Sequence, residues 1–330
     1  MPEFFKRVPS ESLEQGVFLD LETVHRGDRD LSALKACLPR WEWHEFTPGR
    51  EVAGRIANAD VVVTNKCRLD RPALEAAAHL RLITLAATGT NNVDLEAAAD
   101  LGITVCNIRN YASEAVAQHT IALMLNLLSG LPWYWQRVRG GEWSSSRQFC
   151  LNDRPIRQAR GLKFAVVGYG ALGRASAALA GALGMEVLIA ERKGVASRPG
   201  RLAFEEAVRQ ADVLSLHCPL TTETSGLVDR HVLREMKADA FLINTARGEV
   251  VNEADLADAL RKGEIAGAAI DTLSSEPPPA DHVLLAGDIP NLIVTPHNAW
   301  ASCSARQAAI DQLAEVIQSF KAGKPINVVS

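Results

Sequence analysis

The stretch Val166–Gly173, VVGYGALG, constrains this chain more than any other. The apolar run Phe164–Val167 leads into it, and a helical pattern leaves it, with Leu172, Ala175, Leu179, Ala182 and Leu183 three or four residues apart. Between strand and helix stand three glycines. Gly168 permits a tight turn, Gly170 lets the backbone approach a ligand closely, and Gly173 lets the helix pack on the strand. The start of such a helix offers unpaired N–H groups and a partial positive charge to an anion such as a pyrophosphate.

From this point the chain alternates short apolar runs with helical patterns, as a parallel sheet wrapped in helices requires. Strands are expected at Phe164–Val167, Val187–Ala190, Val213–Leu216, Ala240–Asn244, Ala266–Asp271 and Leu292–Thr295. Their Val, Ile and Leu content suits strands buried on both faces. The first hundred residues repeat the pattern on a smaller scale. Strands are expected at Val17–Leu19, Val61–Val63, Leu82–Leu85 and Thr104–Cys106, with helices near Leu31–Leu38, Pro72–His79 and Asp94–Leu101. Ser113–Leu128 is expected to be a long helix between two domains, and Ser304–Lys321 a helix returning to the first. The apolar segment Val116–Trp135 is interrupted by Gln118, His119, Asn126 and Pro132, so it reads as a buried helix rather than a membrane span. Gly140–Asp153 reads as an exposed arm and residues 1–16 as a loose leader.

At 330 residues the chain suits two domains. A net charge of -4 gives no basic surface for nucleic acid. The six cysteines, Cys37, Cys67, Cys106, Cys150, Cys218 and Cys303, form no CxxC pair, so reduced thiols in the cytoplasm are expected, without a metal site.

Ligands of open α/β sheets bind beyond the carboxyl ends of the strands. Those ends carry Gly168, Glu191, Cys218-Pro219, Thr245-Ala246-Arg247, Asp271 and His297. Glu191 follows Gly173 by 18 residues, where a carboxylate can accept both adenosine ribose hydroxyls and repel a 2′-phosphate. This favours NAD, but Arg192 and Lys193 come next and can pair with such a phosphate, which keeps NADP open. Arg247 can grip a carboxylate with parallel hydrogen bonds and polarise a neighbouring carbonyl. The imidazole of His297 suits proton donation to a ketone as hydride arrives. Glu276 in DTLSSEPPP is either the partner that orients it or part of a rigid surface turn. Asp271 is either a receiver for a nicotinamide carboxamide or a turn cap. His119, His217 and Cys218 read as supporting or core residues rather than catalysts, since Cys218 has no base near it in sequence.

VVGYGALG, HCPLTTETSGLV, NTARGEVV, DTLSSEPP and TPHNAW, in this order, resemble the D-isomer-specific 2-hydroxyacid dehydrogenases. ATGTNNVD and the Thr64–Lys66 TNK resemble the glycerate dehydrogenase (hydroxypyruvate reductase) branch in particular, and the similarity spans about Val17 to Asn327. The resemblance implies Arg247, Glu276 and His297 as the active-site trio. It implies that Ala171, Leu172, Glu191, Thr245, Ala246, Asp271 and the turn His297–Trp300, with Ala299, surround the dinucleotide. It also implies that the N–H groups of Thr88 and Gly89 bind a substrate carboxylate. Lys66 and Trp300 are candidates for the substrate pocket.

The expected fold class is therefore α/β, two stacked parallel-sheet domains. A Rossmann NAD-binding domain, residues 111–298, is inserted into a flavodoxin-like substrate domain of residues 1–110 and 299–330. The expected activity is reversible hydride transfer between NAD(H) and a small 2-hydroxy/2-keto acid, most simply D-glycerate and hydroxypyruvate, or glyoxylate, by a cytoplasmic homodimer. The alternatives are a dinucleotide-sensing regulator of the same fold and an S-adenosylmethionine-dependent methyltransferase, for which Arg247 and His297 have no evident use.

Overall fold

The computed structural model describes residues 13–330, so most of the leader read over residues 1–16 lies outside the described residues. The chain divides into two units, one comprising the chain up to Ala112 together with Ala301–Ser330, the other Ser113–Trp300.

The first unit holds strands β1 (Gln15–Phe18), β2 (Arg40–Trp43), β3 (Val61–Thr64), β4 (Leu82–Leu85) and β5 (Thr104–Asn107). All pair in parallel in the order β2-β1-β3-β4-β5, the flavodoxin-like order. Short helices α1 (Ser32–Lys35), α2 (Val52–Ile56), α3 (Arg71–Glu75) and α4 (Leu95–Asp100) connect the strands. Asp70 and Asp94 cap α3 and α4 by accepting from the N–H of Ala73 and Ala97. Strand β2 and helix α2 were not expected from the sequence. β2 reads RWEW and is an edge strand that buries only its tryptophan side, so it offers no apolar run. Trp41 and Trp43 stack with centroids 4.8 Å apart. A Cβ on Gly16 would come within 2.6 Å of the Trp41 ring, so glycine on β1 lets this edge strand seat.

The second unit holds helices α5 (Ser113–Ser129), α6 (Leu131–Arg139), α7 (Ala171–Ala182), α8 (Phe204–Gln210), α9 (Arg230–Glu235) and α10 (Glu253–Lys262). Its strands are β6 (Lys163–Val167), β7 (Glu186–Ala190), β8 (Val213–Leu216), β9 (Phe241–Asn244), β10 (Gly267–Ile270) and β11 (Leu292–Val294). They form one parallel sheet in the order β11-β10-β9-β8-β6-β7, which turns back at β6. Alternate residues face two different cores, which is why the runs are apolar throughout. Ala165, Val167, Leu214, Leu242 and Ile270 meet α8, α9 and α10. Phe164, Val166, Val213, Ile243 and Ala269 meet α5 and α7.

The segment Val116–Trp135 is not one buried helix. α5 is buried along Val116, Ala117, Ile121, Met124 and Leu128, but α6 buries none of its residues. Gly130, at φ 61°, breaks the run, and Pro132 opens the next helix where its missing N–H costs nothing. No helix of the described residues is long and apolar enough to cross a membrane.

The final helix, α11 (Cys303–Lys321), belongs to the first unit. Ser302 caps it, Arg306 grips the Asp28 carboxylate at 2.5 and 2.9 Å, and Lys321 Nζ donates to the Cys37 carbonyl at 2.6 Å.

Candidate active site

Strand register builds the site. Ala190 pairs with Val167, Val167 with Leu216, Leu216 with Asn244, Asn244 with Ile270 and Ile270 with Val294. One row of residues therefore crosses the whole second sheet. The residues just beyond that row are Glu191, Gly168, His217, Thr245, Asp271 and Thr295. Six loops leave one edge side by side, at the roughly 4.8 Å spacing of neighbouring strands.

At the turn of strand order the backbone runs too close for side chains. Gly168 adopts φ 92°, and a Cβ there would sit 2.6 Å from the Cys218 nitrogen. A Cβ on Gly173 would meet the Gly168 carbonyl oxygen at 2.0 Å. Gly170 differs: its φ of -80° suits any residue, and a Cβ would meet nothing within 4 Å. The protein itself has no need of glycine at 170, so the open space above it is a cradle that a side chain would partly fill. The first internal bond of α7 runs from the Arg174 N–H to the Gly170 carbonyl, which leaves the N–H groups of Ala171, Leu172 and Gly173 ahead of it facing the cradle's end of the helix. These features fit a dinucleotide pyrophosphate.

At the neighbouring end of β7, Glu191 is 1% exposed and its oxygens are already engaged. Arg198 donates to them through Nε at 2.6 Å and Nη2 at 2.7 Å, and the Arg192 N–H donates at 3.0 Å. These bonds, Arg198 first, hold the carboxyl down at about 2. After β8, burial pushes the His217 imidazole down to about 4, so it is neutral at pH 7; it bonds Ser215 at 2.9 Å. Burial also pushes the Cys218 thiol up to about 11, which leaves it an inert thiol.

The other three loops hold the groups capable of proton and anion chemistry. Asn244 is fully buried and steadies the Thr245–Arg247 turn at both ends. Its carbonyl oxygen accepts from the Ala246 N–H at 3.0 Å and its amide donates to the Arg247 carbonyl at 2.8 Å. Gly248 then lies against the backbone of the next loop: a Cβ there would be 2.0 Å from the Leu273 carbonyl carbon. That close approach sets Arg247 beside the loop carrying Glu276. Glu276 accepts from the Leu273 N–H at 3.0 Å through Oε1, while Oε2 meets His297 Nδ1 at 2.6 Å. A carboxylate only accepts, so Nδ1 carries the proton of this bond and Nε2 is the ring nitrogen left to face a ligand. His297 and Glu276 side chains remain 25% and 33% exposed, accessible to a small molecule.

Asp271 holds the His297 turn in place. Its buried carboxylate accepts the Thr295 hydroxyl at 2.6 Å and the N–H groups of Asn298 and Ala299, both at 3.1 Å. The His297 N–H donates to the Asp271 carbonyl at 2.8 Å, and the residue sits at φ 50°, a conformation such bonds must enforce. His119 of α5 completes the set, with Nε2 at 3.1 Å from the Thr295 hydroxyl and 3.5 Å from Asp271. Thr245 meets Thr120 of the same helix at 3.1 Å.

In the first unit, buried Asp20 receives the N–H groups of Asn65, Lys66 and Cys67, at 2.6 Å for Lys66, and so ties the turn after β3 to the end of β1. Asn92 donates to the Cys67 carbonyl at 3.0 Å, and Asn107 to that of Thr88 at 2.7 Å, which fixes the Thr88–Asn92 loop beside that turn. Lys66 and Thr88 are exposed, and Gly89 is half-buried. Sequence reasoning missed Asp20, Asn92, Asn244 and Arg198. Asp20, Asn92 and Arg198 act through contacts with another loop, for which no local pattern exists, and Asn244 acts within its own turn.

Comparison with known proteins adds to this geometry. Residues 121–299 match the family model "D-isomer specific 2-hydroxyacid dehydrogenase, NAD binding domain". The glycerate dehydrogenase of Methylorubrum extorquens is 43% identical over 95% of this chain and 98% of its own length. The hydroxypyruvate reductase of Blautia hydrogenotrophica is 36% identical over 95% of this chain and 99% of its own. Among solved structures, the TT0316 protein of Thermus thermophilus superposes with a TM-score of 0.82 at 30% identity, covering 96% of this chain and 100% of that one.

Gly170 and Gly173 are expected to separate by experiment. Gly173→Ala should destabilise the fold by about 1–3 kcal/mol, as overpacking does, read as a lower denaturant midpoint. Gly170→Ala should stay within about 0.5 kcal/mol of wild type, yet weaken nucleotide binding in a titration. A Gly170→Ala protein with unchanged affinity would remove that glycine from the cradle.

Proposed function

The chain belongs to the D-isomer-specific 2-hydroxyacid dehydrogenase family, and from that premise we propose that it interconverts D-glycerate and hydroxypyruvate, with glyoxylate as a second keto substrate. The observation that carries this reading is the 2.6 Å bond between Glu276 and His297, set one loop away from Arg247. The reported relatives are named as a dehydrogenase and a reductase, which leaves the regulatory alternative without support.

Arg247 binds the substrate carboxylate through its planar guanidinium and draws electron density from the adjacent carbonyl. A bound nicotinamide dinucleotide supplies the hydride for reduction and takes it back in oxidation. As the carbonyl carbon gains that hydride, the C=O π bond opens and negative charge collects on oxygen. His297 Nε2 gives its proton to that oxygen, forming the hydroxyl. Glu276 fixes the ring through Nδ1 and offsets the positive charge the imidazole carries before transfer. In oxidation the same nitrogen removes the proton. Asp271 acts on His297 through the backbone of its turn.

The cradle at Gly168, Gly170 and Gly173 with the N–H groups of Ala171 and Leu172 is assigned to the pyrophosphate. Glu191, Cys218, Pro219, Thr245, Ala246, Ala299 and Trp300, at or just past the same row of strand ends, are assigned to the rest of the dinucleotide. On the first unit, the N–H groups of Thr88 and Gly89 and the Lys66 ammonium are the assigned substrate donors. We also place the protein in the cytoplasm as a homodimer. Six cysteines, none of them paired with another, support the first assignment. Exposed Leu131, Trp135, Val138, Trp143 and Phe149, on α6 and the arm after it, support the second, because a lone chain rarely leaves so much apolar surface uncovered.

Loss of nicotinamide absorbance, followed with hydroxypyruvate, glyoxylate and pyruvate, tests the activity. Turnover fastest with hydroxypyruvate is expected; no turnover with any of the three would refute the reading. His297→Ala should lower kcat by about 10²–10⁴-fold with nucleotide binding retained, the usual contribution of a positioned acid–base group.

A further inference from the structure

The end of β7 is not an open acceptor for a ribose. A carboxylate that takes both ribose hydroxyls must offer them free lone pairs. Glu191 is 1% exposed, and three N–H groups already point at it: two from the Arg198 guanidinium and one from the Arg192 backbone. Arg201 adds a second positive charge at 3.7 Å. The fold imposes this arrangement. Leu202 pairs with β7 through bonds from its N–H to the Ile189 carbonyl and from the Glu191 N–H to its own carbonyl, 2.9 and 2.8 Å. That pairing closes residues 192–201 into a loop whose two ends meet at Glu191, and the loop carries Arg192, Lys193, Arg198 and Arg201.

The Arg198 side chain is 59% exposed although its partner is buried. Two of its N–H groups are spent on Glu191. Among the described residues the others of that planar group face no acceptor, so the guanidinium is held by one edge and offers the other to solvent. A guanidinium so oriented, its neighbour's charge already neutralised, is suited to a phosphate monoester.

We propose that Arg198 determines nucleotide choice. It occupies the carboxylate that a ribose diol would need and presents its outer N–H groups to the 2′-phosphate of NADPH, so that the protein works with NADPH at least as efficiently as with NADH. Arg192 and Arg201 add positive charge on either side. This inference rests on the dehydrogenase reading above and names which dinucleotide that site takes.

The test measures kcat and KM for NADPH and NADH at saturating hydroxypyruvate, with direct titration of each nucleotide by protein fluorescence, in wild type, Arg198→Ala and Arg198→Lys. For wild type, kcat/KM with NADPH should equal or exceed that with NADH. Arg198→Ala should raise KM and Kd for NADPH by about 10–100-fold, the contribution of charged hydrogen bonds, with kcat nearly unchanged. NADH should bind as well or better, because Glu191 is released to the ribose. Arg198→Lys keeps a cation without the fork and should fall between the two, which preserves the test should the alanine variant fold poorly. The proposal is overturned if wild type prefers NADH by more than about tenfold, if Arg198→Ala leaves NADPH binding unchanged, or if it weakens both nucleotides equally, as a mere loop clip would. If neither nucleotide is turned over but NADPH binding still depends on Arg198, the keto-acid reading fails and this one stands. If NADH supports turnover and Arg198 is silent, the reverse holds.

Discussion

The carboxylate of Asp271 is the point on which the active edge of the second sheet depends. β10 ends at Ile270, and the next residue must redirect the chain while β11 delivers its own turn alongside. An isolated buried carboxylate is costly, but this one is satisfied by the Thr295 hydroxyl and by the N–H groups of Asn298 and Ala299. In return it fixes the loop that puts His297 at a positive φ. Asn244 does the same for the Arg247 turn on the neighbouring strand, and Asp20 for the Lys66 turn in the first unit. Parallel sheets leave ragged backbone at their carboxyl ends. Here buried Asp and Asn side chains satisfy that backbone and thereby aim the residues beyond it.

The close-packed glycines and these polar caps are two halves of one solution. Gly168 and Gly248 remove side chains where loops touch, and Asp271 and Asn244 supply hydrogen bonds where loops would otherwise gape. The result is an edge on which Glu276 and His297 meet at 2.6 Å. Such preorganisation is what a proton transfer coupled to hydride transfer requires, since the donor must already be in place as charge develops.

Much of this was legible in the sequence because buried parallel strands leave contiguous Val, Ile and Leu runs. The ends of those runs named Gly168, Glu191, Thr245, Asp271 and the Arg247 and His297 loops. What escaped has a common physical origin. β2 hides its two tryptophans in an alternation too short to stand out, and it needs Gly16 on another strand to seat. Asp271 could be read as a cofactor contact or a turn cap, and only the neighbouring strand's loop reveals the bonds it makes. Glu191 was visible as an acid in the right place, but the guanidinium that grips it is seven residues on and arrives through the pairing of Leu202 with β7. Local pattern reports which strand end a residue occupies; it does not report what the next loop brings to it.

In the proposed reaction Glu276 and His297 act as one proton-handling unit. Single-turnover reduction of hydroxypyruvate by excess Glu276→Gln enzyme preloaded with reduced nucleotide examines it without interference from product release. Hydride transfer slowed by about 10²–10⁴-fold with nucleotide affinity unchanged is expected, since glutamine cannot offset the imidazolium charge. A rate within about threefold of wild type would contradict it.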